Sequence, residues 1–326
     1  MLIDGFQRVH DYLRISLTDN CNLRCNYCMP ADKNDFTAPA NLMQAHEIFQ
    51  IAEIFSQLGI RKIRLTGGEP LIRKDAAEII ERLSSLPVEL TLSSNGILAD
   101  RFISCFKQAG IKSLNISLDS LHADKFARIT HRDYFAKVFS NIQLLLKENF
   151  HVKVNMVVMK GVNDDEITEF VNLTREYPLH IRFIEFMPFT GNKWNSDQLF
   201  SHEEILNRLS STFDYIKLKD GKHDTTRKFK VIGYEGTFAL ISTITEPFCS
   251  GCNRLRLTAD GKMKNCLFSK GETNLLAAFR KGDDIIPLIK ENIIAKKAER
   301  GGQFIEPDGI RDPASIVNRS MVAIGG

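Results

Sequence analysis

One pattern limits the fold more than any other. Between residues 12 and about 187 a short β-rich segment followed by a helical stretch recurs six times. The segments are YLRISLT (12–18), KIRLT (62–66), ELTLSS (89–94), SLNISLD (113–119), VKVNMVV (152–158) and IRFIEF (181–186). Helical stretches such as AHEIFQIAEIFSQLG (45–59) and KDAAEIIERLSSL (74–86) lie between them. Strands alternating with helices build parallel sheets through right-handed crossovers. The choice that remains is an open doubly wound sheet or an incomplete barrel.

Alternation within the strands decides it. Leu13, Ile15 and Leu17 alternate with Arg14, Ser16 and Thr18, and Ile63 and Leu65 with Arg64 and Thr66. Leu90 and Leu92 alternate with Thr91 and Ser93, Leu114, Ile116 and Leu118 with Asn115, Ser117 and Asp119, and Val152, Val154 and Met156 with Lys153 and Asn155. Successive side chains on a strand point to opposite faces, so each apolar set can meet the helices while the other face stays polar. A sheet covered by helices on both faces would read as continuous apolar runs. A closed eight-stranded barrel would fill its interior with branched apolar residues. Neither matches, and the expectation is an α/β fold, a partial (βα)6 barrel whose concave face holds a polar ligand. Basic side chains gathered on that face repel one another unless an anion compensates them.

The rhythm changes after residue 190. A helix near 201–211 is followed by FDYIKLK, KFKVIGY, TFALIST and RLRLTADGKMKNC, joined by turn-like KDGK, YEGT and ADGK. These read as hairpins of a C-terminal, mostly antiparallel layer. Helices are expected near 273–281 and 284–299, and an extended tail after them. The expected division is 1–195 and 196–326.

The cysteines carry the chemistry. Seven occur: Cys21, Cys25 and Cys28 just after the first strand, Cys105 alone in a helical stretch, and Cys249, Cys252 and Cys266. Clustered cysteines in a reducing compartment mark metal or redox sites more often than disulfides. Cys105 reads as a core residue. Loops at the C-terminal ends of parallel strands are where sites form in such folds. Three thiolates on a cubane iron–sulfur cluster leave one iron open for a small molecule, whereas a zinc site would need a fourth ligand from elsewhere. At the end of the second strand, TGGEP (66–70) offers two glycines for close backbone approach and Glu69 as acceptor for an ammonium. With 43 basic and 40 acidic residues the net charge is only +3, which argues against a general nucleic-acid binder. No run of about 18 apolar residues occurs, so no membrane helix is expected and the cytoplasm is the default location.

CNLRCNYC, with its CxxxCxxC spacing and Tyr27 before the last cysteine, resembles the radical S-adenosylmethionine (SAM) superfamily. Over nearly the whole chain the sequence also resembles the molybdenum cofactor biosynthesis protein A family, the GTP 3′,8-cyclases. The likeness rests on IRLTGGEPLIR (63–73), NISLDSL (115–121), VKVNMVVMKGVND (152–164), IRFIEFMP (181–188), the CxxC-x13-C of the second cluster and the terminal Gly325–Gly326. It implies two 4Fe–4S clusters, one on Cys21, Cys25 and Cys28 that binds SAM, and one on Cys249, Cys252 and Cys266 that contacts the substrate GTP. It places Tyr27, Gly68, Ser117 and Met187 against SAM. Around GTP it places Arg14, Arg64, Ser93, Lys153, Arg254, Leu255 and Arg256, with Arg254 and Arg256 the catalytic pair. The implied reaction takes a hydrogen from C3′ of GTP, joins C3′ to C8 and yields 3′,8-cyclo-7,8-dihydro-GTP. An electron donor such as a flavodoxin or ferredoxin and a downstream pterin synthase are the implied partners, and a homodimer is left open. Two alternatives stand beside this reading: another radical SAM enzyme with an auxiliary cluster, and a zinc-binding interaction module. Asn20, Ser93, Ser94 and His131 depart from the usual pattern of the family.

Overall fold

The computed structural model describes residues 1–29, 36–306, 309–310 and 315–325. A short hairpin, β1 (Leu2–Ile3) with β2 (Val9–His10), precedes the repeating unit. Then follow β3 (Tyr12–Ser16), α1 (Ala45–Gln57), β4 (Lys62–Thr66), α2 (Ala76–Ser84), β5 (Glu89–Ser94) and α3 (Ile103–Gln108). The unit continues with β6 (Ser113–Ser117), α4 (Ala123–Thr130), α5 (Phe135–Lys147), β7 (His151–Val158), α6 (Ile167–Asn172) and β8 (His180–Glu185). All six expected strands are present, and β3 to β8 pair in parallel in chain order. The apolar alternates do what their spacing predicts: Leu13, Ile15, Ile63, Leu65, Leu114 and Val152 are wholly buried. On α2, Ala76, Ile79, Ile80 and Leu83 recur at helical spacing and bury one stripe.

The C-terminal part contains α7 (His202–Ser210), β9 (Tyr215–Lys217), β10 (Arg227–Val231), β11 (Thr237–Ile241), β12 (Arg254–Leu257), β13 (Lys262–Lys264) and β14 (Thr273–Asn274). It ends with α8 (Leu275–Lys281), α9 (Ile286–Ile294) and the turn α10 (Met321–Ile324). The start of α7 is fixed by a reciprocal cap, in which Glu204 N–H donates to Ser201 Oγ and Ser201 N–H to Glu204 Oε2.

The expected C-terminal hairpins are present, and the sheet shows where they sit. The hairpins β9–β10–β11 and β12–β13–β14 are mostly antiparallel, but they extend the main sheet at its two edges, giving the order β14-β13-β12-β3-β4-β5-β6-β7-β8-β11-β10-β9. β11 joins β8 in parallel and β12 joins β3 in parallel, so eight consecutive strands run the same way. The physical reason is that β3 and β8 would otherwise present unpaired edges. Pairing between strands some 240 residues apart leaves no local mark in a sequence. The tail differs: Met321–Ile324 is a helical turn rather than extended, with Ile324 buried beside Phe189, Phe268 and Phe304, Met321 packed against them and Val322 buried as well.

Topology then sets the two cysteine groups apart. Cys21, Cys25 and Cys28 follow the C-terminal end of β3, whereas Cys249 and Cys252 precede β12, which starts level with Tyr12 at the opposite end. β3 is five residues long, so the two ends lie roughly 16 Å apart at about 3.3 Å per residue.

Candidate functional site

The first thiol group sits on a loop braced from three sides. Within it, Cys28 N–H and Met29 N–H donate to the Cys25 carbonyl, and Arg24 and Asn26 N–H donate to the carbonyls of Thr130 and Ile129 at the end of α4. The glycines of TGGEP lie against it: Glu69 N–H donates to the Asn20 carbonyl at 2.8 Å, and a Cβ at Gly68 would stand 2.2 Å from that oxygen. Only glycine fits there. Glu69, expected as an acceptor for an ammonium, is already engaged by the protein. Its Oε1 accepts from Leu71 N–H and Ser94 Oγ, its Oε2 from Asn95 N–H at 2.6 Å, and it is almost wholly buried. Burial pushes its carboxyl up to about 7 against those donors. Glu69 is thus a brace between β4 and β5, and the backbone of Gly67 and Gly68 faces the cavity.

Tyr27 is held at both ends. Its hydroxyl donates to Asp119 Oδ2 at 2.7 Å, and its carbonyl accepts from Asn192 Nδ2, which also binds the Met187 carbonyl at 2.8 Å. Ser117 and Met187 complete this end. Burial drives the thiols upward, Cys21 to about 11 and Cys25 and Cys28 higher still. Thiols in such surroundings ionise when a cationic metal group compensates them. Among the described residues no three His, Cys, Asp or Glu side chains converge as a single-ion site, where sulfurs stand about 3.8 Å apart around one zinc.

At the other end, Cys252 N–H donates to the Cys249 carbonyl in a tight turn, and Cys266 follows β13. Arg8 from the N-terminal hairpin donates to the Cys249 carbonyl at 2.9 Å and to the carbonyls of Lys297 and Ala298. Burial raises Cys249, whereas at Cys252 the Arg254 and Lys296 cations overcome burial and draw the thiol down to about 6.

Between the two ends lies a belt of cations. Arg256, Arg14 and Arg64 occupy directly opposed positions on β12, β3 and β4. Like charges so placed destabilise a sheet. Arg182 on β8 and Lys153 on β7 extend the belt, and the carbonyl oxygen of Asn115, turned to face them, accepts from Arg182 Nη1 and Arg64 Nη1. Burial first, then neighbouring cations, lowers Arg182 to about 9 and Lys153 to about 7. At Arg14 burial with Arg64 and Arg254, offset in part by Tyr12, leaves about 10. The Tyr12 ring lies beneath Arg64 and Lys62, with the guanidinium carbon of Arg64 5.5 Å from its centroid. Arg14 Nε and Arg182 Nε are buried without a partner, as is Asn155 Oδ1. Orphaned donors on stacked cations call for an anionic ligand.

Both thiol groups and the belt line one cavity of about 510 Å³. Tyr27, Gly68, Ser117, Met187, Arg14, Arg64, Ser93, Lys153, Arg254 and Arg256 all reach it. Leu255 does not: its neighbours on β12 face the cavity, so its side chain points into the core and only its backbone is left for a ligand. Cys105 packs against the core, as expected. The Gly325 carbonyl accepts from Arg256 Nη1, a cavity-lining residue, while Gly326 lies outside the described residues. Alternation had already put Asn115, Asp119 and Asn155 on the polar face, as found, but sequence reasoning missed Arg182, Tyr12 and Lys62 as lining residues. For Arg182 the signal was present, since Arg182 and Ile184 alternate with Ile181 and Phe183 as in the other five strands.

Comparison with known proteins agrees with this geometry. Two family profiles match, the radical SAM superfamily over residues 15–174 and Molybdenum Cofactor Synthesis C over residues 179–301. A mitochondrial GTP 3′,8-cyclase of Arabidopsis thaliana is 44% identical, the match covering 100% of this chain and 84% of that one. A GTP 3′,8-cyclase of Desulforamulus reducens is 39% identical over 100% of both chains. Molybdenum cofactor biosynthesis protein 1 of Drosophila melanogaster is 42% identical over 91% of this chain but 54% of its own length, so the chain spans about half of that relative. Among solved structures, Streptococcus suis SuiB bound to S-adenosylmethionine shares the fold, with a TM-score of 0.62 at 14% identity over 83% of this chain and 65% of that one.

Proposed function

The chain belongs to the radical SAM superfamily and, within it, to the GTP 3′,8-cyclases of molybdenum cofactor biosynthesis, and from that premise we propose how its own residues divide the work. Residues 1–195 hold SAM and the first cluster, on Cys21, Cys25 and Cys28. Residues 196–326 bring a second 4Fe–4S cluster, on Cys249, Cys252 and Cys266, to the far end of the same cavity. One observation carries this reading: two thiol groups at opposite ends of one cavity, with a belt of in-register cations between them.

When bound, the first cluster and SAM supply the 5′-deoxyadenosyl radical that takes the C3′ hydrogen of GTP. The chain's residues do the positioning, which is most of the problem, since such a radical would attack any nearby C–H. Gly67 and Gly68 bring backbone groups against the methionine end of SAM, and Tyr27, Ser117 and Met187 hold the nucleoside end. Arg14, Arg64, Lys153 and Arg182 take the triphosphate, whose charge relieves their mutual repulsion. Ser93 and the backbone of Leu255 face the ribose and base. Arg254 and Arg256, two apart on β12, point to the same face, where their forks stabilise negative charge developing on the purine.

A flavodoxin or ferredoxin as electron donor, a pterin synthase as the consumer of the product, a homodimer and a cytoplasmic location belong to the same proposal. Among the described residues no helix is long and apolar enough to cross a membrane. The Arabidopsis relative is named as mitochondrial, and fractionation of cells expressing the tagged chain decides the compartment.

The deciding experiment gives anaerobically reconstituted, reduced protein SAM and GTP deuterated at C3′. Deuterium in the 5′-deoxyadenosine, read by mass spectrometry, supports the cyclase. Unlabelled 5′-deoxyadenosine formed equally without GTP retains the superfamily and removes the proposed substrate.

A further inference from the structure

Lys296 follows the C-terminal end of α9 and is almost completely buried, with 4% of its surface exposed. Buried lysines are rare because burying an ammonium is costly without partners. Its Nζ has two: the Arg254 carbonyl at 3.2 Å and Cys252 Sγ at 3.5 Å. Burial works against its charge, the Cys252 and Cys266 thiolates attract it, and Arg8 and Arg254 oppose it. The segment that carries it is fixed from outside by Arg8, which binds the carbonyls of Lys297 and Ala298 together with that of Cys249. The lysine and the cysteine turn are therefore clamped by one guanidinium.

Among the described residues no cation hydrogen-bonds a sulfur of the first thiol group, although the Arg24 guanidinium attracts the Cys21 thiolate from further off. Cys21 Sγ accepts from neutral donors, Leu23 N–H at 3.4 Å and Asn95 Nδ2 at 3.8 Å, and the Asp119 carboxylate neighbours Cys25 and Cys28. The two ends thus differ in the donor that reaches sulfur, an ammonium at Cys252 and neutral groups at Cys21. Hydrogen bonds to ligating sulfur and net charge nearby are general determinants of iron–sulfur reduction potential, because an N–H donor and a positive charge both favour the more negative, reduced state.

We propose that Lys296 is a positioning residue that raises the reduction potential of the second cluster relative to the first, through its hydrogen bond to Cys252 Sγ. The inference rests on the reading above, that Cys249, Cys252 and Cys266 carry a cluster. It adds a division of labour: the carboxylate-flanked end is kept strongly reducing, and the lysine-flanked end is the easier to reduce.

The test is an anaerobic redox titration of the full reconstituted chain, following each cluster by electron paramagnetic resonance, in wild type, Lys296→Met and Lys296→Arg. At the potential where the wild-type second cluster is half reduced, K296M is expected to show a reduced-to-oxidised ratio at least tenfold lower, which is about 59 mV for one electron. The first cluster stays unchanged, and K296R restores most of the shift. An unchanged second-cluster potential at full iron content overturns the proposal and makes Lys296 merely structural, as does an equal shift in both clusters. Should K296M fail to retain iron at the second site, Lys296→Ala, which likewise removes both the donor and the charge, takes its place under the same criteria. Wild-type protein that binds only about four irons refutes the second cluster itself, and the iron count separates that failure from a failure of the lysine's role.

Discussion

Arg256 donates through Nη1 to the carbonyl oxygen of Gly325 at 2.5 Å, joining the tail to a residue that lines the cavity shared by both thiol groups. Gly325 has a φ of +80°, and a Cβ there would come within 2.9 Å of Ser16 Cβ and 3.0 Å of Thr66 Cγ2. Both the backbone conformation and the space demand glycine. The tail is thereby threaded onto a residue of the cation belt.

Gly325→Ala is expected to displace that contact while leaving the core alone. A hydrogen bond to a charged group contributes about 1.5–3 kcal/mol, so product formation should fall roughly 10- to 100-fold. The melting temperature should stay near the wild-type value. Cyclisation assays beside thermal melts check this, and wild-type turnover in G325A would remove any role for the tail contact.

Arg182 is a half-buried cation whose Nε is buried and orphaned, and it shares the Asn115 oxygen with Arg64. Replacing it by leucine removes one member of a mutually repelling set, which commonly stabilises a protein when the volume is refilled. R182L should melt higher than wild type without ligand, yet bind GTP about 10- to 100-fold more weakly. Lower stability with unaltered GTP affinity would count against the belt as a triphosphate site.

The parallel core was legible because apolar alternation and helical stretches are local: Leu13, Ile15, Ile63 and Leu65 gave the buried face directly, and Arg14, Arg64 and Lys153 the polar one. The cysteine groups were legible for the same reason, as short spacings. What the chain could not reveal was long-range pairing. Nothing near Arg254 announces that β12 lies beside β3, so the direct opposition of Arg256, Arg14 and Arg64 emerged only with the sheet. What its motif did not show of Glu69 is its bracing role, since the donors Leu71, Ser94 and Asn95, two of them at a different strand's end, are brought to its oxygens only by the fold. Leu255 carried a role by motif that its place in the alternation of β12 forbids to its side chain.

The two thiol groups should be separable by iron content. Cys25→Ala and Cys252→Ala are each expected to lower iron from about eight to about four per chain after anaerobic reconstitution. The losses differ in consequence: C25A should abolish SAM cleavage, and C252A should still cleave SAM while forming no cyclic product. Stoichiometric zinc without iron in all three proteins would return the zinc-binding alternative.

Lys153 makes GTP binding dependent on pH. Burial, then the Arg182 and Arg64 cations, holds its ammonium down to about 7, against about 10.4 in an unfolded chain. Without ligand the folded protein therefore sheds this proton three units earlier than the unfolded chain does. The unfolded state binds more protons in that window, so this residue's contribution to stability rises as pH climbs from about 7 toward 10. A triphosphate reverses the balance by favouring the charged form, and binding at pH 8 must take up a proton. GTP affinity should accordingly be flat below about pH 7 and decline above it. Calorimetric titration of GTP into the full chain at pH 8, in HEPES and in Tris, reads the uptake from the difference between the two binding heats. Uptake approaching one proton per GTP in wild type and vanishing in Lys153→Met is the expected result; identical heats in the two buffers for wild type would show that Lys153 is already charged and that the belt does not titrate with its ligand.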